Sequence, residues 1–278
     1  MVDRDVALKA SSGVLLTAAA AAVGSAPAVA DPAMAPPPAP VPLSTWEGFY
    51  LGASVGASWL HSVQDDTAAI PGITVFPFDS ASTGGSSSTT NGIGWQGGLN
   101  LGYNWQSGNF VYGLEADVSW LGHTSASSNG AFTTNYGRLI AYASGTTFRS
   151  SKIDALGTFR ARFGFDFNGT LPYVTLGVAG ADIKNTFAIS GISAGFGYSA
   201  STSQTKWVPG IVLGSGIEHK LSQNWTVRGE IDWIGFQTNQ LANPLPFSVI
   251  YGTLSSRGGP VSFSNELIIA RIGLNYRF

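Results

Sequence analysis

The side chains of this 278-residue chain that could do chemistry are few: three histidines, 14 Lys and Arg, 16 Asp and Glu, and no cysteine. Without cysteine there is no disulfide, no iron–sulfur cluster and no thiolate zinc site. Catalysis by histidine needs the imidazole within hydrogen-bond reach of a nucleophile and of an orienting acid. His123-Thr124-Ser125 offers a His/Ser pair, but neighbours one or two apart do not build a triad. His61, His123 and His219 share no spacing that would aim two of them at one metal ion. No G-x-x-x-x-G-K-[ST] sequence occurs, so the glycine-rich stretches are not phosphate loops. The pairs Glu115/Asp117, Arg160/Arg162 and Glu230/Asp232 repeat at spacing two, and Arg228 and Arg271 keep the same rhythm. Spacing two places both members on one face of a strand. Paired carboxylates could serve acid–base chemistry. The plainer reading is mutual neutralisation, because an unpaired buried charge is costly. The sequence therefore points to no enzyme, no metal and no cofactor.

Composition limits what can position these charges. Charged residues are 11%, less than half the share usual in soluble domains. Apolar residues make up 44% and aromatic residues 12%, and glycine occurs 36 times. Disorder is disfavoured by the apolar content and small net charge. An ordinary helical enzyme is disfavoured by the glycine content and the scarcity of Leu, Lys and Glu. A formal charge of −2 gives no reason to expect nucleic acid as a partner. Few charges, many glycines and many rings indicate β-structure in an apolar solvent.

From Trp46 onward the dominant period is two. Eight segments carry it: 46–60, 92–105, 110–122, 152–167, 171–183, 206–221, 225–233 and 266–278. In the third, Phe110, Tyr112, Leu114, Val118 and Trp120 oppose Glu115 and Asp117. In the fourth, Phe159, Phe163, Phe165 and Phe167 oppose Lys152, Asp154, Arg160, Arg162 and Asp166. In the seventh, Trp225, Val227, Ile231 and Trp233 oppose Arg228, Glu230 and Asp232. In the last, Ile268, Ile272, Leu274, Tyr276 and Phe278 oppose Arg271, Gly273, Asn275 and Arg277. Most of these segments exceed the roughly 9–11 residues of a tilted membrane strand and the roughly 5–6 of a soluble one.

The connections alternate in length. Those at 106–109, 168–170 and 222–224 are tight, with turn residues such as Asn168-Gly169. Long Ser-, Thr-, Gly- and Asn-rich stretches at about 61–91, 123–151, 184–205 and 237–263 are expected to be loops. An even strand count then puts both termini at the short-turn end. Outer-membrane barrels have this asymmetry, with short periplasmic turns and long outer loops. The expected fold is all-β: an eight-stranded antiparallel up-and-down transmembrane β-barrel.

Charge placement tells which face meets lipid. At segment centres every charge falls in the polar phase; those in the apolar phase, Glu47, Asp182 and Glu266, lie near strand ends. A midplane Arg or Lys facing lipid costs roughly 2–4 kcal/mol. The rings also fall at two levels. Phe49, Tyr103, Trp105, Phe110, Phe165, Trp225, Tyr276 and Phe278 lie at the short-turn edge, and Trp59, Trp95, Trp120, Trp207 and Trp233 at the other. Two aromatic girdles are expected where a barrel meets headgroups. The inward charges should form two lumenal clusters, one joining the third and fourth strands and one joining the seventh and eighth.

Residues 13–24 (GVLLTAAAAAVG) are apolar but too few to span a bilayer, and Ala28-Val29-Ala30 before Asp31 fits a signal cleavage site between Ala30 and Asp31. Asp3, Arg4, Asp5 and Lys9 leave the leading segment without the usual positive charge. The expected organisation is a removed signal (1–30), a Pro-rich periplasmic linker (31–45) and the barrel (46–278).

The sequence resembles the alphaproteobacterial small outer-membrane barrels known as outer-membrane immunogenic or porin-family proteins. Trp46-Glu47-Gly48-Phe49-Tyr50-Leu51-Gly52 carries the likeness, with Gly97-Gly98-Leu99-Asn100-Leu101-Gly102-Tyr103-Asn104-Trp105-Gln106, Gly113-Leu114-Glu115-Ala116-Asp117 and the closing Tyr276-Arg277-Phe278. The resemblance covers about residues 46–278. It implies that Phe278, with Tyr276 in phase, is the signal read by the barrel-assembly machinery. It also implies an outer-membrane location in a Gram-negative bacterium, with lipid and lipopolysaccharide as surroundings. The leading functional expectation is a structural, surface-exposed envelope protein. A narrow channel for small hydrophilic solutes is the alternative, although about eight strands leave an interior that side chains fill. A further alternative is an adhesin or receptor whose outer loops contact host or phage.

Overall fold

In the computed structural model, residues 45–66, 87–136, 141–193, 196–242 and 260–278 are described. The expected signal (1–30), the expected Ala30–Asp31 junction and nearly all of the expected linker lie outside the described residues. Ten strands follow in chain order: β1 (Gly48–Asp66), β2 (Ser87–Ser107), β3 (Phe110–Gly122), β4 (Ser125–Tyr136), β5 (Ala141–Phe165), β6 (Thr170–Ser193), β7 (Phe196–Lys220), β8 (Trp225–Phe236), β9 (Asn239–Leu241) and β10 (Val261–Arg277). Eight of them close a ring in the order β1-β2-β3-β5-β6-β7-β8-β10, sealed by antiparallel pairing of β10 with β1. Closure leaves no edge in the ring, so every ladder hydrogen bond within the membrane is made.

Register fixes the geometry of the ring. From Trp59 the pairing runs through Ile268, Trp233, Leu213, Leu176, Ala161, Leu114 and Tyr103, and returns to β1 at Phe49, ten residues lower. Such a stagger tilts the strands by about 40°. At about 3.3 Å per residue and that tilt, Phe49 and Trp59 stand about 25 Å apart along the barrel axis, the height of an outer-membrane apolar band.

The short turns follow their chemistry. Asn168 (φ 53°) and Gly169 (φ 88°) both adopt positive φ, which suits a two-residue hairpin twisted like its strands. At the other end the structure corrects the sequence reading. Segment 123–151 holds β4 and the first part of β5, paired from Ser125↔Lys152 to Tyr136↔Ala141. Segment 184–205 continues the β6–β7 ladder from Lys184↔Thr205 to Ser193↔Phe196. Segment 61–91 carries the far ends of β1 and β2, and 237–263 carries β9 and the start of β10. Beyond the hydrocarbon a strand needs no apolar outer phase. The alternation fades there while the Ser- and Thr-rich ladder continues. β5, β6 and β7 thus reach 25, 24 and 25 residues, more than twice what the membrane requires.

A second correction concerns phase. The β5–β6 register shifts between Ile153 and Ala155, so Asp154 is an extra residue. Such a bulge reverses the faces of everything before it. Ile153, Ser151 and Arg149 are buried inside, while Lys152 and Asp154, expected in the lumen with Arg160, turn outward.

Candidate functional site

Every ring strand sends side chains into the lumen, and at mid-depth these are charged. Arg160 on β5 occupies the centre. Its Nη1 donates to Glu230 Oε1 at 2.6 Å and to Asp232 Oδ1 at 2.9 Å, both on β8. Its Nη2 lies 2.9 Å from Asp117 Oδ2 and also bonds Glu115, both on β3. Arg271 on β10 approaches the same carboxylates, 2.6 Å from Glu230, 2.9 Å from Asp232 and 3.1 Å from Asp117. Arg228 Nη1 on β8 reaches back to Glu115 Oε2 at 2.7 Å. Three hydroxyls complete the shell: Tyr50 donates to Glu115 at 2.8 Å, Tyr173 to Glu230 at 2.5 Å and Thr158 to Asp117 at 2.9 Å.

The two clusters expected from the sequence are therefore one network. The ring is narrow, and a guanidinium on β5 spans it to β8, three strands away. Arg162 alone stands apart. It pairs with Glu218 on β7, which also accepts from Thr226 and, at 2.9 Å, from Asn275. The Arg162 guanidinium stacks 3.7 Å from the Tyr173 ring centroid. Glu218, Tyr50 and Tyr173 were absent from the candidate residues drawn from the sequence. The signal was their phase: each shares the inward face of its strand. Glycine makes room for the two tyrosines, because a Cβ on Gly102 would meet the Tyr50 ring and one on Gly216 the Tyr173 ring.

Towards the long-strand end the lumen turns apolar. Leu60, Leu121, Ile153, Leu156, Ile183, Val208, Val212, Ile234, Leu267 and Ile269 are all buried and form one cluster. Beyond it Phe187, Ile189, Leu241, Val261 and Phe263 form another. At the short-turn end, fully buried Trp46 packs with Val111 and Leu171. Its ring lies 4.5 Å from Lys220 Nζ and 5.2 Å from the Arg277 guanidinium, and its backbone N–H donates to Gln106 Oε1 at 2.6 Å. The lumen thus has an ionic waist, an apolar stopper beyond it and a tryptophan floor.

The outer surface reverses this pattern. Trp59, Trp95, Trp120 and Trp207 are exposed at the upper level, with Trp233 half-buried among them. At the lower level the rings touch in chains: Phe49–Tyr103–Trp105–Tyr112, Phe110–Phe165–Phe167 and Trp225–Tyr276–Phe278. The three histidines are exposed or partly exposed. His61 Nδ1 lies 2.7 Å from Asn91 and His219 Nδ1 2.9 Å from Thr170 Oγ1, both on the outward face.

The sequence model of the outer membrane protein beta-barrel domain matches residues 16–251. The chain belongs to that family. Among its relatives, the 31 kDa outer-membrane immunogenic protein of Brucella melitensis is 29% identical, with 90% of each chain covered. The 25 kDa outer-membrane immunogenic protein of Brucella canis is 24% identical over 95% of this chain and 97% of its own. A 22 kDa outer membrane protein of Rhizobium leguminosarum bv. viciae is 29% identical over 72% and 69%. Among solved structures, OprG of Pseudomonas aeruginosa aligns at a TM-score of 0.42 with 12% identity, covering 85% of this chain and 99% of that one. The protein is thus an outer-membrane β-barrel, and its exposed apolar phase is the lipid face.

Proposed function

We propose that this family member is a structural, surface-exposed wall element of the outer membrane, neither a channel nor an enzyme. The carrying observation is the filled lumen. A conducting path would have to cross the Trp46 floor, the Arg160 network and the apolar stopper in turn. An apolar constriction opposes ion passage, and eight strands leave an interior that side chains fill. In this reading both termini and the short turns are periplasmic, and the long β5–β7 ends stand outside the cell. The C-terminal Tyr276 and Phe278 address the chain to the barrel-assembly machinery. The test is conductance of refolded protein in planar bilayers. Silence is expected; stepwise currents would overturn the proposal in favour of a narrow porin.

A second reading is favoured by one feature. The β4–β7 extension presents Ser, Thr and occasional apolar side chains well beyond the upper aromatic level, Phe148 and Ile192 among them. That surface supports an adhesin or receptor role. A variant shortened to the ring, lacking 144–150, 186–193 and 196–203, separates the two readings. Loss of binding to host cells or phage, with folding intact, would favour the receptor.

A further inference from the structure

We propose that the open edge of β7 above the membrane pairs with the same edge of a second copy of this chain, joining two barrels that stand in facing membranes. That these membranes belong to two cells rests on the orientation given above; the pairing itself does not.

β7 loses a neighbour where β8 stops. The β7–β8 ladder ends at Gly210↔Phe236, and one further bond runs from the Gln237 N–H to the Pro209 carbonyl at 3.0 Å. Beyond it, from Val208 back to Phe196, β7 pairs with β6 alone among the described residues, and β9 pairs only with β10. β4 is also paired on one side only, but β2 meets its other side. Ser88 Oγ donates to Ser128 Oγ at 3.2 Å, and a Cβ on Gly92 would strike the Ser125 carbonyl.

Pro209 shows which groups the β7 edge presents. Its carbonyl points to the β8 side, and a strand sends the N–H and C=O of alternate residues to alternate sides. The β6–β7 register runs without a shift, so the same parity holds to the end of β7. Gly197, Ser199, Ser201, Ser203 and Thr205 therefore aim both groups at the open side, and the residues between them serve the β6 ladder. Natural strand edges are guarded by charge, proline or a bulge. The run from Gly197 to Thr205, GYSASTSQT, has none of these. Ser199, Ser201, Ser203 and Gln204 are exposed.

Symmetry selects the occupant. Ser199-Ala200-Ser201-Thr202-Ser203 reads nearly the same in both directions about Ser201. A two-fold axis at Ser201 sets Ser199 opposite the second copy's Ser203, Gly197 opposite its Thr205 and Ser201 opposite itself. Each such pair exchanges two backbone hydrogen bonds. The central side chains are small. Lys206, the nearest charge on β7, falls opposite Phe196 and not opposite its own copy, so like charges do not meet. Strands paired in this way run in opposite directions, which places the two barrels at opposite ends of the joined sheet. Copies side by side in one membrane run β7 in the same direction and cannot form the pair.

The test begins with refolded protein in detergent micelles. Light scattering corrected for detergent should give twice the chain mass for the wild type and for Ser201→Thr. Ser201→Pro should be monomeric, because proline removes an N–H on the open side and leaves the β6 ladder whole. The chain has no cysteine, so single cysteines read the register. Ser201→Cys puts the two thiols on residues whose Cα atoms are about 5.5 Å apart, within disulfide range, and oxidation should give a covalent dimer. Ser199→Cys should give none, since its copy lies about 13 Å farther along the strand. A monomeric wild type at every concentration, a dimeric Ser201→Pro, or equal cross-linking at both positions would each overturn the pairing. Far-UV circular dichroism checks that each variant folds. Cells displaying the wild type should then clump and settle faster than cells displaying Ser201→Pro, and labelling of Ser203→Cys in intact cells reads the orientation separately. A dimer in micelles without surface labelling would overturn the orientation, and with it the contact between cells, but not the edge pairing. Surface labelling without faster settling would overturn the contact between cells alone.

Discussion

Arg160 on β5 and Glu230 on β8 are three strands apart round the ring, yet their side chains meet across the lumen at 2.6 Å. The contact ties opposite walls of the barrel together. Because Arg160 also holds Glu115, Asp117 and Asp232, its removal takes a cation from four buried carboxylates at once and leaves only Arg228 and Arg271 to serve them. Breaking a buried ion pair from one side costs about 3–5 kcal/mol. Arg160→Met should therefore destabilise the barrel by at least that much, read from urea unfolding in detergent. Arg271→Met should do less, since Arg160 still serves the three carboxylates that Arg271 touches. Equal stability of wild type and Arg160→Met would mean the network is ornamental.

The apolar stopper predicts a contrast between adjacent residues. Leu267 points inward and is fully buried, while Ile268 points to lipid and is 44% exposed. Leu267→Ala leaves a cavity among fixed neighbours and should cost about 2–5 kcal/mol. Lipid closes over Ile268→Ala, which should cost less than half as much. Similar losses at both positions would show that Leu267 is not packed in a closed interior.

The ring was legible in the sequence because a lipid-facing strand must alternate. Phase, strand order and the two aromatic levels all follow from that one constraint, as in β3, where Phe110 to Trp120 oppose Glu115 and Asp117. Where the constraint lapses, legibility lapses with it. Beyond Lys184 both faces of the β6–β7 ladder are free of hydrocarbon, and the strand reads as a Ser- and Thr-rich loop. The bulge at Asp154 left no periodic trace, because Lys152 and Asp154 keep an even spacing with Arg160. The stopper was hidden differently. In Leu267-Ile268-Ile269 both phases are apolar, so the alternation that marks the outer face does not mark the inner one. The joining of the two charge clusters needed the ring's diameter, which no single strand carries.

The bulge itself yields a third prediction. Asp154 is unpaired, between Ile153↔Ile183 and Ala155↔Asp182. Deleting it joins those two pairs directly, so alternation through β5 becomes unbroken while Ile153, Ser151 and Arg149 stay inward and Lys152 stays outward. The deletion should therefore still refold into a compact barrel, as seen by electrophoretic mobility of unheated samples, and so should Asp154→Asn, which keeps the extra residue. Failure of the deletion to fold, with Asp154→Asn folding normally, would show that the ring needs the bend the bulge supplies.

The depth of the lipid face can be measured directly. Ile272 is 66% exposed and pairs with Val55, midway between the levels of Phe49 and Trp59. Ile93 is as open, at 69%, but pairs with Trp59 itself. An arginine facing lipid costs about 2–4 kcal/mol at the midplane and about 0–1 near the interface. Ile272→Arg should therefore lower stability in phospholipid bilayers several-fold more than Ile93→Arg. The gap should shrink in thinner membranes, where water reaches position 272 more easily. If the two substitutions cost the same, the girdle tryptophans do not mark the edge of the hydrocarbon.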